Sequence, residues 1–252
     1  MPDAIKIMGV TRANILKVGG VWEACITKVF DDSYIVPVDE GFCLQNLQTG
    51  STLVNGASLS NGDLVLDGVN DYATLPNNSD YDRGSGDLTI QCWFYLNTLP
   101  ADGEKYMLVD KFTGPHDWDG WTLRVSRQAP VPDTGEGNMN GGLAVYLSST
   151  GAGASRNRRY EANITTGTWH HAALVLTSGG DAELYYDGTE LAAFSPASMP
   201  SSTSELLRMG TGLVGVSQTQ PYFDGKITGV TILQEVLSPG DIEATYRGSN
   251  PT

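Results

Sequence analysis

The stretch that most constrains the fold is Gly167 to Gly188, GTWHHAALVLTSGGDAELYYDG. Trp169 to Leu176 suits a strand buried on both faces, Ser178-Gly179-Gly180-Asp181 is turn chemistry, and Ala182 to Tyr186 alternates again. This predicts a β-hairpin. Its second strand runs into Asp187-Gly188, a pair suited to positive φ, so the chain is expected to reverse once more into Thr189 to Phe194. The result is an antiparallel meander.

The rest of the chain agrees with an all-β reading. A composition of 40% hydrophobic and 17% charged residues with 30 glycines suits many short strands joined by tight turns better than a helical bundle. A net charge of −14 leaves no footprint for nucleic acid, whose recognition needs clustered Lys and Arg, and it favours solubility and cation binding. No window approaches the roughly 18 apolar residues of a membrane span, and Met-Pro-Asp-Ala does not open a secretory signal, so the chain is expected to be soluble and without its own export signal. Three cysteines, Cys25, Cys43 and Cys92, argue against a disulfide framework, with Cys92 acting as a small core hydrophobe.

Residues 1–55 differ in pattern from the remainder of the chain. Lys6-Ile7-Met8-Gly9-Val10 and Lys17-Val18-Gly19-Gly20-Val21, with a trailing Lys28-Val29, form a repeat of about eleven residues. Short units of this kind cannot bury their apolar side alone. They form either a strand pair packed on the main domain or a docking and oligomerisation arm, with Ile7, Val10, Val18 and Val21 as its docking residues. Residues 5–29 resemble the I-x-K-I-x-G-V repeats near the start of many bacteriophage structural proteins. That resemblance implies virion partners, capsid or tail, and a route out of the cell for a chain with no export signal. Residues 31–55 read as one or two further strands, leading into the linker Asn55-Gly56-Ala57-Ser58.

From Leu59 the pattern tightens. Asp63 to Asp67 reads as a strand ending in a turn, Asp71 to Pro76 as a second strand, and Asn77 to Gly86 as a polar loop. Leu88, Ile90, Cys92, Phe94 and Leu96 then share a core face, while Thr89, Gln91, Trp93 and Tyr95 share a face covered by loops or flooring a shallow groove. Ser238-Pro239-Gly240-Asp241 opens a short helix that ends at Gly248.

The pieces Leu66-Asp67-Gly68-Val69-Asn70-Asp71-Tyr72, Leu88 to Phe94, Gly167 to Ala172, Leu184 to Gly188, Met209-Gly210, Tyr222 to Ile227 and Leu237 to Ile242 stand in an order that resembles the laminin-G-like, concanavalin-A-like jelly-roll family. The resemblance implies an all-β, antiparallel two-sheet jelly-roll sandwich over residues 56–252 behind the 1–55 segment. It also implies a rim calcium site, with Asp67, Asp71 and Asp224 in matching positions; Thr228 replaces an acid that many relatives carry. The alternative is that these carboxylates make Asx-turns with their own backbone.

A second cluster combines aromatic rings with carboxylates. Asp110 and the run His116-Asp117-Trp118-Asp119-Gly120-Trp121, joined by Tyr160, suit stacking on a sugar ring with acids accepting from its hydroxyls; otherwise the tryptophans anchor core and loop. The run Arg156-Asn157-Arg158-Arg159 is either a solvated loop or a contact for an anionic glycan or an acidic neighbouring subunit. Catalysis is not expected: no Glu-x-Asp-x-x-Glu, Gly-x-Ser-x-Gly or His-Glu-x-x-His occurs, and the adjacent His170 and His171 point to opposite faces of a strand. The expected protein is a non-enzymatic virion surface protein displaying a lectin-like jelly roll, a homo-oligomer that binds cell-surface or environmental polysaccharide. The alternative is an extracellular bacterial lectin, and a glycan hydrolase ranks third.

Overall fold

The structure, a computed structural model, describes residues 42–43, 50–113, 119–128, 139–149, 156–196, 199–212, 221–248 and 251. Fifteen strands, a short 3-10 helix Ser79–Tyr81 and one α-helix are described: β1 Phe42–Cys43, β2 Thr52–Val54, β3 Ser58–Ser60, β4 Asp63–Asp67, β5 Tyr72–Leu75, β6 Leu88–Leu96, β7 Lys105–Phe112, β8 Gly120–Gln128, β9 Met139–Ser148, β10 Arg156–Glu161, β11 Trp169–Leu176, β12 Ala182–Tyr186, β13 Thr189–Phe194, β14 Leu207–Met209, β15 Asp224–Leu233 and α1 Pro239–Gly248. The first sheet runs β13-β12-β11-β6-β15-β4-β3, with β1 added against β15. The second runs β10-β9-β8-β7-β14-β5-β2. Every described pairing is antiparallel.

The hairpin anticipated from Gly167–Gly188 is β11 and β12, and Asp187 and Gly188 carry φ of 48° and 76° into β13. The strand buried on both faces has a covering on each side. Toward the second sheet, Leu88, Ile90, Cys92, Phe94 and Leu96 of β6 join Ala172, Leu174 and Leu176 of β11 in the main core, against Leu123, Val125, Leu143 and Val145. Burial pushes the Cys92 thiol pKa up, so it stays protonated and acts as a small apolar side chain.

On the outside of the first sheet, α1 is the covering. Leu237 and Ile242 pack with Ala173, Val175, Tyr185 and Leu233, and Tyr246 stacks on Trp93 at 5.5 Å between ring centroids. Ser238 caps the helix as its sequence predicts: its carbonyl accepts from Asp241 N and Ile242 N, and its hydroxyl bonds Asp241 Oδ2 at 2.6 Å. The face carrying Thr89, Gln91 and Trp93 is therefore no groove floor. Thr89 Oγ1 donates to the Glu235 carbonyl and accepts from Leu237 N, tying the approach to the helix onto the strand.

The boundary expected at residue 55 falls too late. Thr52, Leu53 and Val54 pair with Thr74, Ala73 and Tyr72, and Phe42–Cys43 pairs with Ile232 and Thr231, so both segments are strands of the sandwich. Asn55 turns at φ 59° and β3 begins at Ser58, which shortens the expected linker to a tight turn. The repeat residues Ile7, Val10, Val18 and Val21 lie outside the described residues.

Candidate saccharide site on the second sheet

In an antiparallel pair, residues directly opposite one another share a face. Following the register of the second sheet gives one row across all seven strands: Thr52, Thr74, Arg208, Asp110, Thr122, Tyr146 and Asn157. Every position in it is polar. The neighbouring row, on the other face, runs Leu53, Ala73, Met209, Val109, Leu123 and Val145 before reaching Arg158 at the edge. One face builds the core and the other presents hydrogen-bonding groups, as a period of two dictates.

Two further rows extend the polar face. Met107, Arg124, Ala144 and Arg159 stand opposite one another, as do Lys105, Ser126, Gly142 and Glu161. A β-bulge between Met107 and Val109 lets both Met107 and Asp110 join this face despite their odd spacing. Aromatic rings lie among the polar groups. Tyr146 meets Phe112 edge-on at 4.9 Å, the Arg124 guanidinium stands 5.8 Å from the Tyr146 centroid, and Tyr72 stacks on Tyr222 at 6.2 Å. Gly212 closes over the middle, near enough that a Cβ there would stand 3.1 Å from Asp110 Oδ1.

The polar groups are deeply set. Asp110, Ser126 and Ser148 are fully buried, and Thr122 and Arg124 are 3% and 5% exposed. Arg208 divides its charge between Glu205 at 2.8 Å and Asp110 at 3.7 Å. The hydroxyls of Thr122, Ser126 and Ser148 find no hydrogen-bond partner among the described residues. A buried hydroxyl without a partner is costly, by about 1–3 kcal/mol, and such groups in one place mark where a polar ligand or water completes the bonding.

The site foreseen around residues 117–121 is distributed differently. Trp121 belongs to the core: it is 1% exposed and its indole N–H donates to the Tyr81 carbonyl at 2.9 Å, leaving no ring face for a sugar. Asp119 is buried as a loop tie, accepting from Gly120 N and Ser201 N and bonding the Ser201 hydroxyl. Tyr160 packs beside the core, 5.8 Å from the Phe194 ring, while Asp117 and Trp118 lie outside the described residues. What sequence reasoning missed is the alternation Trp121-Thr122-Leu123-Arg124-Val125-Ser126, whose even positions line the polar face.

The rim acids meet in pairs without forming a cage. Asp67 stands opposite Asp224 between β4 and β15. Each carboxylate is already engaged: Asp67 Oδ1 accepts from Val69 N, which holds its pKa below the usual carboxylate range; Asp71 Oδ1 accepts from Gly56 N; and Asp224 accepts from Asn97 Nδ2 and Thr98 Oγ1. No group of three or more His, Cys, Asp or Glu side chains able to hold a metal occurs among the described residues. As placed, these acids serve as turn and loop anchors.

His170 and His171 do diverge. His170 stands 2.9 Å from Asp187 Oδ2 and 2.7 Å from Tyr186 Oη, and His171 lies under α1 between Trp93 and Tyr246.

Two packed antiparallel sheets joined in this order define a jelly-roll sandwich. A family profile described as the concanavalin A-like lectin/glucanases superfamily, of laminin G type, matches residues 67–243, and the chain belongs to that family. A search of curated proteins finds no match. Among solved structures, the chain resembles the botulinum neurotoxin serotype D binding domain (15% identity, TM-score 0.54, 79% of this chain and 46% of that one). It also resembles the binding domain of Paraclostridial Mosquitocidal Protein 1 (15%, 0.55, 79% and 45%). A third is domain 4 of the extracellular arabinanase AbnA from Geobacillus stearothermophilus, solved with arabinotriose (19%, 0.51, 76% and 80%). The chain thus spans under half the length of the two toxin binding domains, and at 15–19% identity the three likenesses are of fold alone.

Proposed function

We propose that this chain is a non-enzymatic saccharide-binding protein whose ligand lies along the polar row of the second sheet, and that residues 1–40 attach it to a bacteriophage virion. The row itself carries the reading: aligned hydroxyl, amide and charged positions beside tyrosine rings offer both hydrogen bonds for sugar hydroxyls and faces for sugar rings. The row contains a single carboxylate, Asp110, whereas glycoside hydrolysis ordinarily needs two flanking the bond, which favours binding over cleavage. The arabinotriose-bound domain of the arabinanase supports a saccharide ligand on this fold.

The virion assignment rests on the repeats at residues 5–29, and it places the protein on the particle surface as a homo-oligomer among capsid or tail proteins. A bacterial extracellular lectin is the second reading, favoured by that same arabinanase likeness. A glycan array probed with the full chain tests the binding: Thr122→Ala and Tyr146→Phe, which keeps the ring packed on Phe112, should each weaken the signal at least about tenfold with Tm little changed. Array signals that survive both substitutions would place the ligand elsewhere. Mass spectrometry of purified phage particles tests the virion assignment, and a chain found only free in the medium would favour the lectin.

A further inference from the structure

Lys111 of β7 shares the inner face of the second sheet with Val109 and is fully buried, and its ammonium stands inside a shell of oxygens. Asn77 Oδ1 lies at 2.6 Å, the Glu205 carbonyl at 3.0 Å, the Thr203 carbonyl at 3.2 Å, and Thr203 Oγ1 and Asp82 Oδ1 each at 3.3 Å. The strand supplies the cation, while the shell comes from the loop between β5 and β6 and from the approach to β14. These five oxygens outnumber the three hydrogens of an ammonium group, so a lysine cannot donate one to each. A spherical cation has no such limit. Desolvation pushes the Lys111 pKa down, and the Asp82 carboxylate opposes that push, as an anionic ligand does for a buried ion.

We propose that this shell is a cation site in which Lys111 Nζ is the resident ion, and that it takes a free monovalent cation of ammonium size, potassium in the first place, once that side chain is cut short. Charge and size both set the class. Among the described residues Asp82 is the one carboxylate in contact with the centre, since Glu205 turns its own toward Arg208 at 2.8 Å. A single positive charge balances it, whereas a divalent ion would leave one buried charge unmatched. The oxygens stand 2.6–3.3 Å from the centre, while calcium draws its ligands to about 2.3–2.6 Å and magnesium to about 2.0–2.1 Å. Asp82 Oδ1 also accepts from Thr203 N at 3.2 Å, so the two loop segments close on each other around the charge. The lysine thereby joins three segments distant in sequence, as a bound ion would, and makes this end of the sandwich independent of dissolved metal.

The test is thermal melting of full-length Lys111→Ala in choline chloride, potassium chloride, calcium chloride and n-propylammonium chloride at matched ionic strength. In choline the variant should melt roughly 10 °C below the parent chain, because a buried carboxylate has lost its partner. Potassium at about 100 mM should restore at least about half of that loss, the rise following the logarithm of its concentration, with the parent chain unmoved. Lys111→Met, whose methyl fills the space beside the shell, should melt low and gain nothing from potassium. Lys226→Ala, at a half-exposed lysine, should show no potassium dependence. Recovery with propylammonium alone would show that the shell needs the amine on its apolar stem, overturning the free-ion site, and a stronger response to calcium overturns the monovalent class. No recovery in any salt overturns the proposal. Should Lys111→Ala fail to fold, NMR of the 15N-lysine-labelled parent chain decides: a slowly exchanging ammonium signal that Asp82→Asn removes supports the resident ion, and its absence overturns it.

Discussion

His171 is wholly buried beneath α1, and neither ring nitrogen has a hydrogen-bond partner among the described residues. Burial pushes its pKa down to about 4, against a smaller upward pull from the Asp187 carboxylate. The unfolded chain takes up this proton near pH 6.5, so between pH 6.5 and 4 it binds a proton that the folded chain refuses, and stability falls as the pH drops through that window. The full effect is about 3 kcal/mol. Denaturant melts of His171→Leu and the parent chain across this range check it: the variant should lose most of the slope, and parallel curves would show that other groups carry it. Gly225 is a second position where one atom matters, because it holds φ 150° with its missing Cβ aimed 1.9 Å from the Tyr95 carbonyl oxygen. Gly225→Ala should cost at least about 3 kcal/mol or prevent folding, read as a lost or lowered urea midpoint. At the rim, where the carboxylates are already occupied by protein donors, calcium and EGTA should leave Tm alike. A calcium-dependent rise of several degrees would show that the loops rearrange around the ion.

At the scale of the element, α1 shows how a local signal acquires a tertiary role. Its cap was legible in Ser238-Pro239, yet nothing in the sequence states which sheet face it covers. Ile242 is fully buried against the first sheet, and Tyr246 packs over the Gly188 turn, where a Cβ would stand 2.9 Å from its ring. Ile242→Ala should therefore cost about 2–5 kcal/mol by urea denaturation, far more than an exposed helix substitution. A loss below about 0.5 kcal/mol would mean that the helix is peripheral. The same contrast governs what else could be read. The hairpin Trp169–Tyr186, the core face of Leu88–Leu96 and the two-sheet class rest on periodicity and turn residues close in sequence, and they were legible. The polar face was not, because Thr74, Asp110, Thr122, Tyr146 and Arg208 reach one row only through pairings of strands distant in the chain. The bulge in β7 also breaks the alternation that would have placed Met107 and Asp110 together. Trp121 misled for a related reason: beside acids in sequence it resembles a sugar platform, and only its register opposite Lys111 and Leu147 turns it inward.

For the whole molecule, the question is where the sandwich begins. If the body started at residue 56, removing everything before it would leave both sheets intact. The pairing says otherwise: β2 completes the second sheet against β5, β1 lengthens the first against β15, and Asn55 Nδ2 donates to the Asn70 carbonyl across the turn that links them. A chain beginning at residue 56 loses these contacts and leaves the β5 edge open, whereas one beginning at residue 41 keeps them. Loss of one short edge strand is worth on the order of 2 kcal/mol, which for a domain of this size corresponds to roughly 4–8 °C in Tm. The chain from residue 41 should melt cooperatively close to the full-length Tm, with the chain from residue 56 several degrees lower and more prone to aggregate through its exposed edge. Sedimentation of the same three chains separates folding from attachment. If residues 1–40 serve only to attach or oligomerise, the 41-start chain should be monomeric while the full chain assembles. Equal Tm values for the two truncations would return the boundary to residue 55, and failure of the 41-start chain to fold would make the N-terminal repeats part of the body they were assigned to carry.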